Sequence, residues 1–423
     1  MKTDLAALIL AGGRGSRLNL IAAKRAKPAV PFAGMFRIID FTLSNVMRSG
    51  IRHVGVLTQY RPTSLMEHLG DGESWDLAGR TASLKVLPPS LGRAESDWYQ
   101  GTADAVWQNL AWLRQVAPQD VLILSGDHVY SMDYRPMLAA HRRSGADLTI
   151  ASMAVPWDQT DRFGVMVCDA EGRVTRFVEK SRERVSNLAN MGVYIFRRDA
   201  LVEELAANCR AGRHDFGAHV IPGMLGRRLV IAHPFEGYWR DVGTLDSYWS
   251  ANMDALHPEE TGLDLFTWRV RTNMAGRGQV YHPPARLEQG GRVRDSLVGR
   301  GCVIAGEVQD SVLSPGVRVE AGARVVGSVV LHDCVIRRGA QVLRCILDKD
   351  VVVGPGACVG REDRFDGVNE AFPSHLAGGI TVVGKGTAVP DGMRVGANVL
   401  VGTGLRAEDL GSRVEISDGA SVA

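Results

Sequence analysis

Long hydrophobic runs are missing from this 423-residue chain. No uncharged apolar stretch approaches the ~20 residues that span a bilayer, so no membrane-crossing helix is expected. The N-terminal apolar run from Leu5 to Ala11 passes straight into a glycine turn with no small-residue cleavage site. It reads as a buried strand and not as a secretory signal, which makes the cytoplasm the expected compartment. An excess of one charge is missing too. The 49 Lys and Arg against 47 Asp and Glu leave a net +2, too little to suggest nucleic acid as a partner. Cysteine is scarce. The six, at 168, 209, 302, 334, 345 and 358, form no CxxC pair and no metal-ligand spacing, which argues against a structural zinc. Four of them sit in Val-rich stretches and read as small apolar packing groups.

What is present is the balance of a soluble globular protein, 45% hydrophobic and 23% charged, in a chain long enough for two domains. The first 250 residues or so alternate strand and helix patterns. Ala6–Leu10, Val54–Thr58, Val121–Ser125 and Leu148–Met153 read as strands, the first and third as continuous apolar runs. Arg37–Ser49 and Ala103–Gln115 carry helical spacing between them. The pattern predicts a doubly wound α/β domain with a mostly parallel sheet, whose ligands sit beyond the carboxyl ends of the strands.

Past about residue 280 helical spacing vanishes and a repeat begins. Ser-Val-Leu at 311–313 returns as Ser-Val-Val at 328–330 and as Cys-Ile-Leu at 345–347, a step of 17 each time. Ser296-Leu-Val fits the same phrase one step of 15 earlier. A period near three hexapeptides, with small residues at corners, predicts a β-helix; a β-sandwich would not keep that register. The charged stretch Arg361–Glu370 interrupts the repeat and Val382-Val-Gly resumes it, so one inserted loop is expected. The expected division is 1–257, a linker over 258–279, and 280–423.

The first strand runs into Ala11-Gly-Gly-Arg-Gly-Ser-Arg17. Glycines let a backbone turn its N–H groups toward a polyanion, although no Walker lysine or third dinucleotide glycine follows. Arg14, Arg17, Lys24, Arg25 and Lys27 flank this loop and read either as neutralising groups for a triphosphate or as a solvated basic face. Asp127, just after the strand Val121–Ser125, and Asp241, in Tyr-Trp-Arg-Asp-Val-Gly-Thr, are two carboxylates that could share a divalent ion. Each would otherwise be a cap or a turn residue. Glu179 and Lys180 close a strand pattern and by themselves read as a surface ion pair.

The runs AGGRGSRL and KRAKPAVPFAGMFRIIDFTLSN, with WYQGTADAVWQN, LSGDHVY, FGVM, FVEK, NMGVYIF, HDFG and YWRDVGT in that order, resemble the bacterial glucose-1-phosphate adenylyltransferase family. The resemblance covers nearly the whole chain. It implies a Rossmann-like nucleotidyltransferase domain followed by a left-handed parallel β-helix. It further implies the reaction of ATP with glucose 1-phosphate to ADP-glucose and pyrophosphate, the committed step of bacterial glycogen synthesis.

Carried onto this sequence, the family pattern gives Mg²⁺ to Asp127 and Asp241, with Arg17 and Lys27 as catalytic cations. It places ATP against Leu10, Ala11, Gly12, Gly13, Gly15, Ser16, Leu87, Gly101 and Thr102. Glucose 1-phosphate falls to Tyr99, Gly164, Glu179, Lys180 and Asn190, the last at a position where better-known members carry Ser. Lys24 matches an activator contact, Arg37 part of an inhibitor site, and Gln59 and Trp98 positions of signal relay. Pro31 and Gln115 depart from the enteric inhibitor pattern. A homotetramer controlled by small-molecule effectors is implied. Another base or hexose 1-phosphate, or a non-catalytic regulatory subunit, are the competing readings. The presence of Arg17, Lys27, Asp127, Lys180 and Asp241 together argues against the subunit.

Overall fold

The computed structural model describes residues 4–423 apart from 14, 90–97, 181, 275–281, 364 and 412–413. Arg14 therefore lies outside the described residues. Besides a short hairpin (Pro31–Phe32 with Phe36–Arg37), the strands of the first domain are, in chain order, β1 (Leu5–Leu10), β2 (His53–Leu57), β3 (Ser83–Leu87), β4 (Asp120–Ser125), β5 (His128–Tyr130) and β6 (Leu148–Ala154). They continue with β7 (Gly164–Cys168), β8 (Val174–Glu179), β9 (Leu188–Arg197), β10 (Val230–Pro234) and β11 (Trp239–Asp241). The main helices are α1 (Ile38–Arg48), α2 (Thr102–Gln108), α3 (Leu110–Val116), α4 (Arg135–Ser144), α5 (Arg198–Arg210) and α6 (Leu245–Asp254).

β1 pairs in parallel with β2 on one side and β4 on the other, and β3 extends the parallel run beyond β2. Its alternation sends Ala7 and Ile9 into one core with Ile39 and Leu43 of α1, and Ala6 and Leu8 into another with Val106 of α2 and Leu113 of α3. Both faces are covered, which is why β1 and β4 are apolar at successive positions. Beyond β4 the sheet is mixed. β9 runs antiparallel to β4 and β6, β8 antiparallel to β7, and β10 parallel to β6. Only five residues separate β7 from β8, and a parallel pairing needs a crossover of about a dozen or more.

The single helix expected over 103–115 is two. Asn109 breaks it with non-helical angles, and its Nδ2 donates to the Ala105 carbonyl at 2.9 Å and to the Tyr99 hydroxyl at 2.9 Å. An Asn side chain that competes for backbone carbonyls is a known way to end a helical run. The apolar period continues across the break, so it could not reveal it.

The second domain is a parallel β-helix of three sheets holding six, seven and seven strands. Val312 pairs with Val329 and Val329 with Ile346, the same 17-residue step seen in the sequence. The repeated Ser is also a ladder: Ser296 Oγ accepts from Ser311 N, Ser311 Oγ from Ser328 N, and Ser328 Oγ from Cys345 N, at 3.0–3.1 Å. Cys302, Cys334 and Cys345 are fully buried in this stack as free thiols. The next step, Cys345 to Thr381, is 36 residues, so the inserted loop lies inside it. Buried Asn369 and Asn398 hold that loop by side-chain bonds to the Asn398, Ala420 and Gly367 carbonyls.

The two domains share a core. Val329, Leu331, Ile346 and Val382 of the β-helix pack with Leu18, Phe32, Leu245 and Tyr248 of the first domain. Arg25 reaches across to Asp348 at 2.9 and 3.1 Å, both side chains buried. Residues 263–271 fold back on α1, where Trp268 Nε1 donates to Asn45 Oδ1 at 2.8 Å. Among the described residues no helix is long and apolar enough to cross a membrane.

Candidate active site

The carboxyl ends of β1, β2 and β4 open onto a cavity of about 290 Å³. It is lined by Leu10, Gly12, Gly13, Gln59, Tyr99, Gly101, Thr102, Ser125, Asp127 and Asp215, among others. The glycine loop forms one wall. Gly15 adopts φ +62°, where an L side chain is strained, and a Cβ there would meet the Lys27 Cβ at 3.1 Å. A Cβ on Gly13 would meet nothing within 4 Å, so its backbone is open to a ligand. The Ala11 amide already donates to the Leu57 carbonyl at 2.8 Å. Ser16 opens a 3₁₀ turn over Ser16–Ile21.

Topology, not sequence distance, brings the two aspartates together. After β4 the chain turns at Gly126-Asp127 into β5, which pairs antiparallel with β11 and sets Asp241 opposite His128. The Lys27 ammonium sits between the carboxylates, 2.8 Å from Asp127 Oδ2 and 2.9 Å from Asp241 Oδ1. Burial by itself would lower the Lys27 pKa, but the two carboxylates outweigh it and hold the pKa above the ordinary lysine value. Burial would likewise raise both carboxyls. The Lys27 charge, with a hydrogen bond from Ser125 to Asp127, keeps Asp127 well below the usual carboxylate range, and Asp241 is also lowered. All three groups are therefore ionised at neutral pH.

His128 completes the group. One oxygen of Asp127, one of Asp241 and a His128 ring nitrogen lie within 4.8 Å of one another, a donor set that fits a divalent cation. The ammonium already shows that the carboxylate pair accepts a cation. The His128 Nδ1 faces the Met191 carbonyl at 3.1 Å, and Nε2 lies 3.7 and 3.9 Å from the two carboxylates. Arg17 is exposed, and its Nη2 lies 3.1 Å from where a Cβ on Gly243 would stand, beside Asp241.

Of the cations expected around the loop, Arg17 and Lys27 face the site. Arg25 does not. It turns to the domain interface and Asp348, because a buried guanidinium there is paired where at the loop it would compete with Lys27. Lys24 is exposed beside it. Lys349, on the β-helix, is pushed down to about 7 by burial first and then by Arg37 and Arg25. Arg37 itself donates to the Ala29 and Ser64 carbonyls at 3.3 and 3.0 Å.

Of the expected sugar contacts, Tyr99 is among the residues lining the cavity and Gly164, Glu179, Lys180 and Asn190 are not. The Tyr99 hydroxyl donates to the Leu87 carbonyl at 2.9 Å and accepts from Asn109. Gln59 brackets the Tyr99 backbone, accepting from its N at 2.6 Å, while neighbouring Trp98 is exposed. The Glu179 carboxylate lies against Gly164 and Gly217, whose Cβ atoms would fall 2.6 and 2.5 Å from Oε2. Burial raises its pKa, and Asp215 adds to that. Lys180, exposed and at φ +47°, sits 3.6 Å from Glu179 Oε1. Asn190 is engaged internally, donating to the Tyr194 hydroxyl at 2.7 Å and accepting from Gly192 N at 2.9 Å.

Asp215 was not among the expected site residues, although it stands in the HDFG run. Its Oδ2 accepts from Thr102 Oγ1 at 3.0 Å. Gly101 is locked beside it, because a Cβ would fall 2.3 Å from the His214 carbonyl oxygen.

The chain matches the Nucleotidyl transferase family over residues 6–257 and the GlmU-like C-terminal hexapeptide family over 283–383. It is 48% identical over 413 residues to a glucose-1-phosphate adenylyltransferase of Thermomicrobium roseum, covering 96% of this chain and 95% of that one. It is 42% identical to the one from Acetivibrio thermocellus, over 97% and 96% of the two chains. That from Thermotoga maritima is 43% identical over 96% of each. The chain belongs to the glucose-1-phosphate adenylyltransferase family. It is a nucleotidyltransferase, with the Rossmann-like domain and hexapeptide β-helix that the sequence implied. A cation between Asp127 and Asp241 accords with the divalent metal such transferases generally use.

Proposed function

We propose that the cleft joins ATP to α-D-glucose 1-phosphate, giving ADP-glucose and pyrophosphate, with Mg²⁺ as the ion. The observation that carries this reading is the convergence of two ionised carboxylates and a buried ammonium at the mouth of a cavity walled by a glycine loop. When bound by Asp127 and Asp241, magnesium supplies charge neutralisation and alignment of phosphate oxygens.

An oxygen of the sugar phosphate forms a bond to the α-phosphorus of ATP while the bond to the bridging oxygen breaks and pyrophosphate leaves on the opposite side. That nucleophile is anionic at neutral pH, so no strong base is needed, and positioning carries the rate. The open Gly13 backbone and the solvent-facing Arg17 suit the leaving phosphates. Glu179 offers a carboxylate to sugar hydroxyls and Lys180 an ammonium to the 1-phosphate. The Leu87, Gly101 and Thr102 region frames the base.

Effector control is assigned to Lys24, Arg37, Gln59 and Trp98, with the β-helix of residues 280–423 serving assembly as a homotetramer. The contact of Gln59 with Tyr99 supports a path from that region to the cavity. The test is pyrophosphate release by the purified protein with glucose 1-phosphate and Mg²⁺, comparing ATP with the other four triphosphates. Strong release with ATP alone is expected. Release only with another nucleotide would change the product assigned, and none with any of the five would refute the reading.

A further inference from the structure

We infer that Lys27 is an exchangeable counter-cation, occupying the carboxylate pair in the free protein and leaving it for the nucleotide when the divalent ion enters. This deepens the reading above and rests on it for the identity of the metal pair. The inference starts from geometry. The ammonium lies 2.8 and 2.9 Å from one oxygen of each aspartate, the two residues that would hold an ion. Its side chain is buried, 6% exposed, while the carboxylates are 30% and 20% exposed and Asp127 lines the cavity. Protein thus supplies one cation, and solvent can supply another.

Charge decides between the two. A divalent ion added beside the ammonium would put three positive charges on two carboxylates, with like charges a few ångströms apart in a partly dehydrated site. With a polyphosphate bound at the glycine loop the balance reverses, and both cations find anionic partners. The loop also runs beside the lysine. The Gly15 backbone packs close to the Lys27 stem, where an added Cβ would stand 3.1 Å from the Lys27 Cβ. The ion therefore binds with the nucleotide and not ahead of it.

The experiment is Mn²⁺ binding to the full-length protein without nucleotide, read by the loss of the free-ion electron paramagnetic resonance signal. Lys27→Met keeps the stem and removes the charge, and it is expected to bind Mn²⁺ about tenfold or more tightly than wild type. Lys27→Arg keeps a cation and is expected to remain as weak as wild type. Adding Asp127→Asn to Lys27→Met should abolish the gain, which locates the ion. Equal Mn²⁺ affinity in wild type and Lys27→Met, or a gain that survives Asp127→Asn, would overturn the inference. Should Lys27→Met misfold, Lys27→Gln makes the same comparison with a neutral polar end. Turnover of the wild type is measured separately, so failure of the reaction and failure of the exchange are told apart.

Discussion

Replacing Asp348 by Ala strands a buried charge at the joint between the two domains. Arg25 and Asp348 are 7% and 1% exposed at the side chain, and Arg25 Nη1 has no hydrogen-bond partner even in the intact pair. With the carboxylate gone, Nη2 loses both of its bonds to Asp348 and the guanidinium keeps its desolvation cost. Breaking such a pair typically costs about 3–5 kcal/mol, whereas replacing both partners by apolar groups of similar size is often near neutral. Asp348→Leu, like Asp348→Ala, and Arg25→Met should therefore each cost in that range, and Arg25→Met with Asp348→Leu much less than the sum of those two singles. Trp249 gives a local signal, since its Nε1 donates to Gly327 O at 2.8 Å and Arg344 stacks 4.3 Å from its ring. Urea curves followed by tryptophan fluorescence, run as a double-mutant cycle, measure the coupling. Single-variant costs below about 1 kcal/mol, or strict additivity, would refute the claim that this pair is desolvated and mutually dependent.

Asp127→Asn should lower turnover by roughly a thousandfold, about 4 kcal/mol, in steady-state assays, while Lys27 keeps Asp241 as partner and the fold survives. Lys180→Ala should raise KM for glucose 1-phosphate far more than KM for ATP; the reverse split would remove Lys180 from the sugar site. Lys349 is held near pH 7 in the folded protein against an ordinary value of 10.5. Between those values the unfolded chain binds the extra proton, so stability should rise as pH climbs from about 7 toward 10. In Lys349→Met that rise should flatten, as read by urea midpoints across the window.

Much of the molecule is written in one dimension. Continuous apolar runs at 6–10 and 121–124 state that both faces of those strands are covered, because an exposed face would have to be polar at every second residue. The 17-residue step from Ser311 to Ser328 to Cys345 states the β-helix, since only a stacked coil gives each repeat the same neighbour above and below. The glycine run after β1 marks a turn with left-handed backbone at Gly15 and open space at Gly13. These are local or periodic properties, and each residue carries its share of the signal.

Tertiary structure decided what depends on distant partners. Asp127 and Asp241 meet because β5 pairs with β11, 114 positions apart at the two aspartates, and no local pattern encodes that register. Arg25 and Lys27 are two residues apart in one basic run, yet one pairs at the domain joint and the other between Asp127 and Asp241. Which cation goes where is set by the carboxylate that waits for it, Asp348 or the Asp127–Asp241 pair, and burial makes that pairing obligatory. The helix break at Asn109 and the lining role of Asp215 came from side-chain bonds across the fold, to Tyr99 and to Thr102. Hydrophobic period reports which face is buried. It does not report which polar atom finds which partner once it is.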